Sequence, residues 1–281
     1  MSRVGYQGTR GCYSHAAGTR HFAGQAVQWE GFDTFRELLE AVASGQIDYA
    51  MQPLENTTAG SIHEAYDLLA ELDLALVGEE VLHVRHVLLA PADVPLSAIR
   101  RIRSHPQALA QCSRFLRGLL PDCRAEAWTD TAMACEAVSD AGDPSEAAIA
   151  GEAAGALYGL HVIARDIANQ AHNYTRFVVV AREPVAVPAG VRCRTSVIFG
   201  TRHEQGALLE CLNALASHHL NLTKLESRPR PQRPWEYLFY VDFEGNLADA
   251  EVRAALDEVR ARTGYLDVLG SYPAKERPGA R

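Results

Sequence analysis

Hydrophobic and polar positions alternate along residues 1–181 in a way that predicts short strands followed by amphipathic helices. In the segment DTFRELLEAVASG, the side chains of Leu38, Leu39 and Val42 fall on one helical face. Gly45 stands where a glycine commonly ends a helix. Apolar runs such as RVGYQG and YAMQPL are typical of strands. This alternation predicts an α/β fold in which helices pack on parallel sheets.

A second pattern begins near residue 194. The preceding segment 182–193, REPVAVPAGVRC, carries two prolines and no helical period, which predicts a linker. Residues 194–273 then show the order strand, helix, strand, strand, helix, strand, which is the ferredoxin-like βαββαβ arrangement. Residues 274–281 are predicted to form a tail.

Composition limits the class of protein. The 281 residues are enough for two domains, and 47% hydrophobic with 22% charged residues is ordinary for a globular chain. A net charge of −8 argues against a nucleic-acid partner. No signal-peptide core or membrane-length apolar run is visible, so we expect no membrane partner. The six scattered cysteines form no CxxC pair, and we expect reduced cysteines in a cytoplasmic protein without a metal site.

Two polar clusters follow predicted strands in the first half of the chain. GTRGCYSH, residues 8–15, has two glycines before a helix, where backbone N–H groups can hold an anion. A plain tight turn explains it as well. PLENTTAGSI, residues 53–62, places Glu, Asn and two Thr side chains at the C-terminal end of a strand, where open α/β sheets bind ligands. A surface turn is the alternative there.

Two more clusters follow later in the chain. In SHPQALAQC, residues 104–112, Ser104 lies at a strand exit and Gln111 lies about two turns into the next helix. Ser104 as a helix cap and an exposed Gln111 form the alternative. In NYTRF, residues 173–177, a threonine and an arginine stand at the mouth of an apolar strand, and the arginine fork suits a carboxylate. Since all four clusters lie at strand ends, they jointly predict a ligand-binding cleft.

These motifs resemble those of the prephenate dehydratase family with its C-terminal ACT regulatory domain. GTRGCYSHAA resembles the family's opening segment, PLENTTAGSI its Pro-Ile-Glu-Asn-Ser/Thr segment, and NYTRF its Asn-x-Thr-Arg-Phe signature. SHPQALAQC nearly repeats a third motif, and GALLECL with NLTKLESRP resemble the two effector motifs of the ACT domain. The resemblance covers residues 4 to 273. Cys12 and Leu54 depart from the usual residues, which affects loop details and substrate preference rather than the reaction class.

The resemblance implies a fold and a domain organisation. We expect a two-lobed, periplasmic-binding-protein-like catalytic domain at residues 1–181. One lobe would comprise residues 1–80 plus 165–181, and the other residues 81–164. An ACT domain would occupy residues 194–273. We expect a monofunctional enzyme rather than a chorismate mutase fusion, because no helical segment precedes residue 4.

The implied activity is a carbon–oxygen lyase reaction in L-phenylalanine biosynthesis, in which prephenate loses CO2 and water to give phenylpyruvate without a cofactor. Thr175 is predicted to donate a hydrogen bond to the leaving hydroxyl, and Arg176 to pair with a substrate carboxylate. Both are expected to face one cleft that binds a dianion. The other predicted substrate-binding residues are Asn56, Thr57, Ser104, Gln111 and Phe177.

The resemblance also implies feedback regulation by phenylalanine. The effector site would lie between subunits, so we expect a homodimer or homotetramer. The predicted effector-binding residues are Gly206, Ala207, Leu208, Asn221, Leu222, Glu226, Ser227 and Arg228.

Three alternative activities remain. The first is arogenate dehydratase. The second is a prephenate decarboxylase that does not aromatise the ring, which Thr175 disfavours because such relatives lack this threonine. The third is a non-catalytic amino-acid sensor, which the intact NYTRF and SHPQ motifs disfavour.

Overall fold

The computed structural model describes residues 1–202, 204–230, 233 and 235–276, so the end of the predicted tail, residues 277–281, lies outside the described residues. The strands are β1 (Ser2–Gln7), β2 (Val27–Phe32), β3 (Tyr49–Asn56), β4 (Gly60–Ser61), β5 (Ala75–His83), β6 (Val87–Ala90), β7 (Arg101–Ser104), β8 (Arg124–Ala127), β9 (Glu146–Ala150), β10 (His161–Ala164), β11 (Tyr174–Ala181), β12 (Cys193–Thr201), β13 (Leu222–Pro229), β14 (Tyr237–Glu244) and β15 (Thr263–Pro273). The helices are α1 (Tyr13–His21), α2 (Phe35–Ser44), α3 (His63–Glu71), α4 (Pro106–Gln111), α5 (Ser113–Leu119), α6 (Thr131–Ala141), α7 (Glu152–Leu157), α8 (Ala207–Ser217) and α9 (Ala250–Arg262).

Two compact units divide the described chain. Unit 1 comprises Met1–Leu38, Met51–Ile62 and Glu80–Phe177, and unit 2 comprises Leu39–Ala50, His63–Glu79 and Val178–Arg281. Strands β3, β5 and β11 run from one unit into the other, because the division falls within them.

The first sheet has the strand order β2-β1-β3-β11-β5, with the short β4 paired to β3. Strands β1 and β2 are parallel, as the alternating pattern predicts. Helix α2 covers the predicted DTFRELLEAVASG segment, and Leu38, Leu39 and Val42 are fully buried. Gly45 follows it with φ +79°, which confirms the predicted C-terminal glycine.

The second sheet lies in unit 1 and has the order β10-β6-β9-β7-β8. Strand β7 is parallel to β8 and β9, but β6 is antiparallel to β9 and β10, so the predicted all-parallel arrangement is wrong here. Strand β6 enters this sheet from β5 of the first sheet, so no strand–helix–strand crossover sets its direction relative to β9 and β10. Leu88, Ile102 and Ile149 from this sheet are fully buried and form its core with residues of α4.

The third sheet lies in unit 2 and has the order β13-β14-β12-β15, with antiparallel pairing throughout. Helices α8 and α9 interrupt the strands in the predicted order, which confirms the βαββαβ arrangement. Phe199, Phe243, Leu215 and Val252 form a buried core between this sheet and its helices. Strand β12 begins at Cys193, one residue before the predicted start.

One glycine in unit 2, Gly270, is required because two backbone segments pass very close to each other. Gly270 lies in β15, and a Cβ atom at this position would overlap the carbonyl oxygen of Leu76 in β5. Only glycine allows the two backbones to come this close.

The described residues hold no helix that is both long enough and apolar enough to cross a membrane. All six cysteines are free thiols. No group of three His, Cys, Asp or Glu side chains in the described part of the chain is arranged to hold a metal ion.

Candidate active site

The end of β3 lies beside the start of β11, and this pairing creates the site. The backbone N–H of Thr57 donates to the carbonyl oxygen of Tyr174 at 2.9 Å. The hydroxyl of Thr57 accepts from the N–H of Tyr174, also at 2.9 Å. The second and fourth polar clusters of the sequence are therefore joined at one edge of unit 1.

Asn56, the last residue of β3, is held in one orientation by the backbone. Its Oδ1 accepts from the N–H groups of Thr58 at 3.0 Å and Ala59 at 2.9 Å, which is an Asx turn. Because a backbone N–H can only donate, Oδ1 must face the turn and Nδ2 must face away. Nδ2 then donates to Oδ1 of Asn173 at 2.7 Å and to Oγ1 of Thr175 at 2.9 Å.

The third polar cluster joins this network through Gln111, at the end of α4. Its Oε1 accepts from Nδ2 of Asn173 at 3.0 Å, and its Nε2 donates to Oγ1 of Thr58 at 2.7 Å. The Thr58 hydroxyl in turn donates to Oδ1 of Asn56 at 2.7 Å. Three motifs that are far apart in sequence thus meet in unit 1, where Asn56, Thr58, Gln111 and Asn173 close a hydrogen-bonded ring and Thr175 is attached to it through Asn56. We call these five side chains the amide ring.

The direction of these bonds decides what Thr175 can do. Its Oγ1 accepts from an amide N–H, so the hydroxyl proton of Thr175 is not used in that bond. The proton is therefore available to a further acceptor. Thr175 is 8% exposed, so this donor acts in a largely desolvated setting where hydrogen bonds are stronger.

A cavity of about 330 Å³ opens beside the amide ring. This volume suits a small metabolite. Thr58, Gln111 and Asn173 line this cavity; Asn56 is hydrogen-bonded to Asn173, and Thr175 to Asn56. The side chains that line the cavity are neutral: Thr58, Ala59, Gln107, Ala110, Gln111, Ala168, Asn169, Gln170 and Asn173.

Arg176 does not share a face with Thr175, which corrects the expectation that both face one cleft. Successive side chains of a strand point to opposite faces of a sheet. Arg176 is only 3% exposed, and its NH1 donates to Oε1 of Glu55 at 3.2 Å. Phe177 does alternate back to the Thr175 face, but it is buried among core residues.

Ser104 and Thr57 also lie apart from the amide ring. Ser104 is fully buried, and its hydroxyl donates to the carbonyl oxygen of Ile149 at 2.6 Å. The alternative of Ser104 as a helix cap is wrong, because His105 caps α4 by accepting from the N–H of Gln107. Thr57 ties the backbones of β3 and β11 together, and Thr58 rather than Thr57 joins the ring.

The glycine-rich first cluster holds an anion that belongs to the protein itself. Gly8 and Gly11 adopt positive φ angles of 105° and 95°, and the N–H of Thr9 donates to Oδ2 of Asp130 at 2.8 Å. The other carboxylate oxygen of Asp130 caps helix α6 by accepting from Met133 at 2.6 Å. The predicted anion-binding turn is therefore satisfied within unit 1.

The predicted effector residues fall into two groups within unit 2. Gly206, Ala207 and Leu208 line a cavity of about 400 Å³ at the start of α8. The others lie in strand β13 or just before it. Arg228 makes two hydrogen bonds to Asp67, and Oε1 of Glu226 lies 3.3 Å from Nε2 of His63. Asn221 donates to Glu244, whereas Leu222 is half-buried and Ser227 is exposed. A single chain does not bring the two groups into one cavity among its described residues.

Sequence reasoning missed two members of the amide ring, Thr58 and Asn173. Both were visible in the quoted motifs, as the second threonine of ENTT and the first letter of NYTRF. An Asn followed two residues later by a small hydroxyl residue is typical of an Asx turn, and that signal could have selected Thr58 over Thr57.

Replacing Asn56 by aspartate is expected to lower turnover by roughly 10- to 100-fold, because it reverses the hydrogen bond to Thr175 and removes the donor to Asn173. The carboxylate keeps the acceptor for Thr58 and Ala59, but it offers no N–H to Thr175. The Thr175 hydroxyl then donates to the new carboxylate instead of to a ligand. Steady-state kinetics of N56D would check this, and a kcat within twofold of the parent would contradict it.

Acid pH is expected to weaken folding through one buried and two half-buried histidines. Burial lowers the pKa of His86, and burial is also the main cause that lowers the pKa of His15 and His105. The unfolded chain therefore binds more protons, and stability falls as pH drops below about 6.5, the ordinary histidine value, towards the folded pKa values. Urea midpoints at pH 7.5 and 5.0 measure this. H105N should reduce the difference, whereas the exposed-site variant H161Q should leave it unchanged.

Taken together, the sheets and the cavity define an α/β protein with a cavity, lined by side-chain amides and a threonine hydroxyl, of a size that suits a small molecule. A model of the family described as prephenate dehydratase matches residues 4–185 of the chain. The chain belongs to the prephenate dehydratase family and is an enzyme of the lyase class.

Individual relatives agree with this assignment. The bifunctional chorismate mutase/prephenate dehydratase of Escherichia coli K12 is 41% identical over 276 residues, covering 98% of this chain and 71% of the relative. Arogenate dehydratase/prephenate dehydratase 2 of Arabidopsis thaliana, a chloroplastic protein, is 42% identical over 281 residues, covering 96% and 72%. The structure of the Arthrobacter aurescens prephenate dehydratase in complex with L-Phe matches with a TM-score of 0.88 at 30% identity, covering 97% and 90%.

Proposed function

We propose that this enzyme converts prephenate to phenylpyruvate with loss of CO2 and water. The observation that carries the proposal is the bond from Asn56 to Thr175, which leaves the Thr175 proton for an acceptor beside a cavity of about 330 Å³. The similarity to the Escherichia coli relative, whose name includes prephenate dehydratase, supports the same substrate.

The chemistry suits a hydroxyl donor. When the bond from the ring to its carboxylate breaks, the electron pair enters the ring and expels the ring hydroxyl. The ring becomes aromatic, so the driving force lies in the substrate. A threonine hydroxyl is too weak an acid to protonate the leaving group in advance. Thr175 instead donates a hydrogen bond that strengthens as negative charge develops on the leaving oxygen, and a solvent proton completes the water molecule.

The neutral side chains that line the cavity would orient the substrate. Gln111 and Asn173 offer amide groups that can fix a carboxylate and a keto group without competing charges. Positioning of this kind can supply a large part of a rate enhancement. Arg176 as the partner of a substrate carboxylate stays a prediction; its NH1 donates to Glu55 at 3.2 Å.

The domain organisation forms part of the proposal. Residues 1–181 would be the two-lobed catalytic domain, 182–193 the linker and 194–273 an ACT domain. The ferredoxin-like topology of the third sheet and the L-Phe complex of the Arthrobacter relative support the ACT assignment. The homodimer or homotetramer and the cytoplasmic location stay predictions.

Arogenate dehydratase is the second candidate. The Arabidopsis relative is named for both arogenate and prephenate and is 42% identical to this chain. The same hydroxyl chemistry serves both substrates, because they differ in the side chain rather than in the ring.

Parallel turnover assays on prephenate and arogenate test the proposal. The purified protein is incubated with each substrate, and phenylpyruvate and phenylalanine are quantified. Phenylpyruvate from prephenate supports the proposal. Phenylalanine from arogenate alone would change the substrate and keep the mechanism. Absence of product from both would overturn the proposed function and favour the sensor alternative.

Phenylalanine is expected to suppress turnover and to raise the thermal midpoint. A ligand that binds only the folded state stabilises it by about 2.7 kcal/mol at a hundred times its Kd. The cavity at Gly206, Ala207 and Leu208 is the predicted position of one side of the site. Thermal unfolding with increasing phenylalanine measures the shift, with D-phenylalanine as the matched control. An unchanged midpoint together with an unchanged rate would contradict regulation by phenylalanine.

A further inference from the structure

A buried histidine that the chemistry above does not use contacts the amide ring. His86 lies just before β6 in unit 1 and is 3% exposed. Its Nε2 lies 2.8 Å from Oε1 of Gln111, and its Nδ1 lies 3.0 Å from the hydroxyl of Tyr13. The sequence gives no motif that singles out His86.

The protonation state of His86 follows from a chain of hydrogen-bond directions that starts at the backbone N–H groups around Asn56. The turn fixes Nδ2 of Asn56 towards Oδ1 of Asn173, so Nδ2 of Asn173 must face Gln111. Nδ2 of Asn173 donates to Oε1 of Gln111, so the atom of Gln111 that faces His86 is an oxygen. A carbonyl oxygen can only accept, and Nε2 of His86 must therefore carry a proton.

The other ring nitrogen completes the assignment. The Tyr13 hydroxyl donates to the carbonyl oxygen of Arg85 at 2.9 Å, and its oxygen also lies 3.0 Å from Nδ1 of His86. Burial raises the pKa of Tyr13, so the hydroxyl keeps its single proton, which the carbonyl oxygen of Arg85 and Nδ1 share in a bifurcated hydrogen bond. Burial likewise lowers the pKa of His86, which agrees with a neutral ring.

We infer that His86 is a positioning residue: as a neutral ring protonated on Nε2, it holds Gln111 so that the hydrogen bonds of the amide ring keep one direction up to Thr175. The inference rests on the proposed dehydration at Thr175. Without His86, Gln111 keeps a single donor to Oε1, Asn173 at 3.0 Å, and its side chain gains freedom to rotate. Thr58 then loses a fixed donor, and the geometry around Asn56 loosens.

Two substitutions at this position separate positioning from packing. H86L removes the donor to Gln111 and is expected to lower kcat about tenfold, the effect of roughly one lost hydrogen bond. KM should change less than threefold. H86Q places an amide N–H near the position of Nε2 and should recover kcat to within about threefold of the parent. H161Q changes an exposed histidine of unit 1 and serves as the matched control.

A spectroscopic measurement tests the tautomer without turnover. Ring ¹⁵N NMR of the histidine-labelled protein at pH 7.5, with H86Q identifying the His86 signals, should show a protonated Nε2 and an unprotonated Nδ1. An imidazolium, or a proton on Nδ1, would overturn the inference. Equal loss of kcat in H86L and H86Q would also overturn it, because a packing role would then suffice.

The proposed function and the inference about His86 can fail separately. If the parent enzyme turns over prephenate and H86L keeps its full kcat, the inference fails and the proposed function stands. If the parent enzyme turns over neither prephenate nor arogenate, the proposed function fails, and with it the role of His86 in dehydration, whatever tautomer the NMR spectrum shows.

Discussion

Replacing Thr175 by valine is expected to lower kcat by roughly 10²- to 10⁴-fold, the usual range for losing a hydrogen-bond donor at a developing charge. Valine keeps the β-branched shape that strand β11 requires and removes only the hydroxyl. Nδ2 of Asn56 keeps its hydrogen bond to Asn173, so the hydrogen bonds among the other four side chains of the amide ring are retained. KM should change little, because the donor acts mainly as the leaving oxygen gains charge. Steady-state kinetics on prephenate measure both constants.

A second threonine provides the matched control for T175V. The exposed Thr19 lies in helix α1 of unit 1, and its hydroxyl donates to the carbonyl oxygen of His15 at 2.9 Å. T19V removes a hydroxyl of the same kind away from the amide ring and should keep kcat within twofold. A T175V enzyme that matches T19V in kcat would show that the hydroxyl does not take part in the reaction.

Replacing Arg194 by methionine is expected to destabilise the fold by about 3–5 kcal/mol, because it removes the guanidinium charge that faces a buried carboxylate. Arg194 in β12 donates to Glu79 in β5, and both side chains are almost completely buried in unit 2. The other oxygen of Glu79 accepts from the backbone N–H of Lys275 at 2.8 Å. Urea unfolding followed by circular dichroism measures the free energy of unfolding.

The double variant tests the reason for this loss. Changing Glu79 to glutamine in the R194M background removes the charge, and it should recover most of the lost stability. Replacing both members of a buried ion pair often costs little, whereas removing only one of the two opposite charges costs much. If R194M and the double variant are equally unstable, packing rather than charge explains the effect. A loss below 1 kcal/mol in R194M would contradict burial of the pair.

The sequence pattern predicts most of the fold because hydrophobic periodicity records local burial. The βαββαβ order after residue 193 and the helix α2 both follow from it. The direction of β6 does not follow, because it depends on which strand β6 meets rather than on its own residues. Periodicity also cannot show that Gly270 meets the backbone of β5, since that approach joins distant parts of the chain.

The candidate site was predictable at the level of motifs and only partly at the level of side chains. Asn56, Gln111 and Thr175 lie together as expected. The strand alternation that turns Arg176 away from Thr175 was already present in the sequence, since the two residues are neighbours in a strand. The choice of Thr58 over Thr57 depends on the turn after Asn56. The contact of His86 with Gln111 needs the fold, because 25 residues separate the two.

The central claim is that the amide ring presents the Thr175 hydroxyl to the leaving oxygen of prephenate. A crystal structure of T175V soaked with prephenate tests it most directly, because slow turnover should preserve the substrate. We expect the ligand in the cavity lined by Gln111, Asn169 and Asn173, with its ring hydroxyl facing residue 175. Prephenate bound elsewhere, or bound in the cavity with its ring hydroxyl directed away from residue 175, would contradict the account.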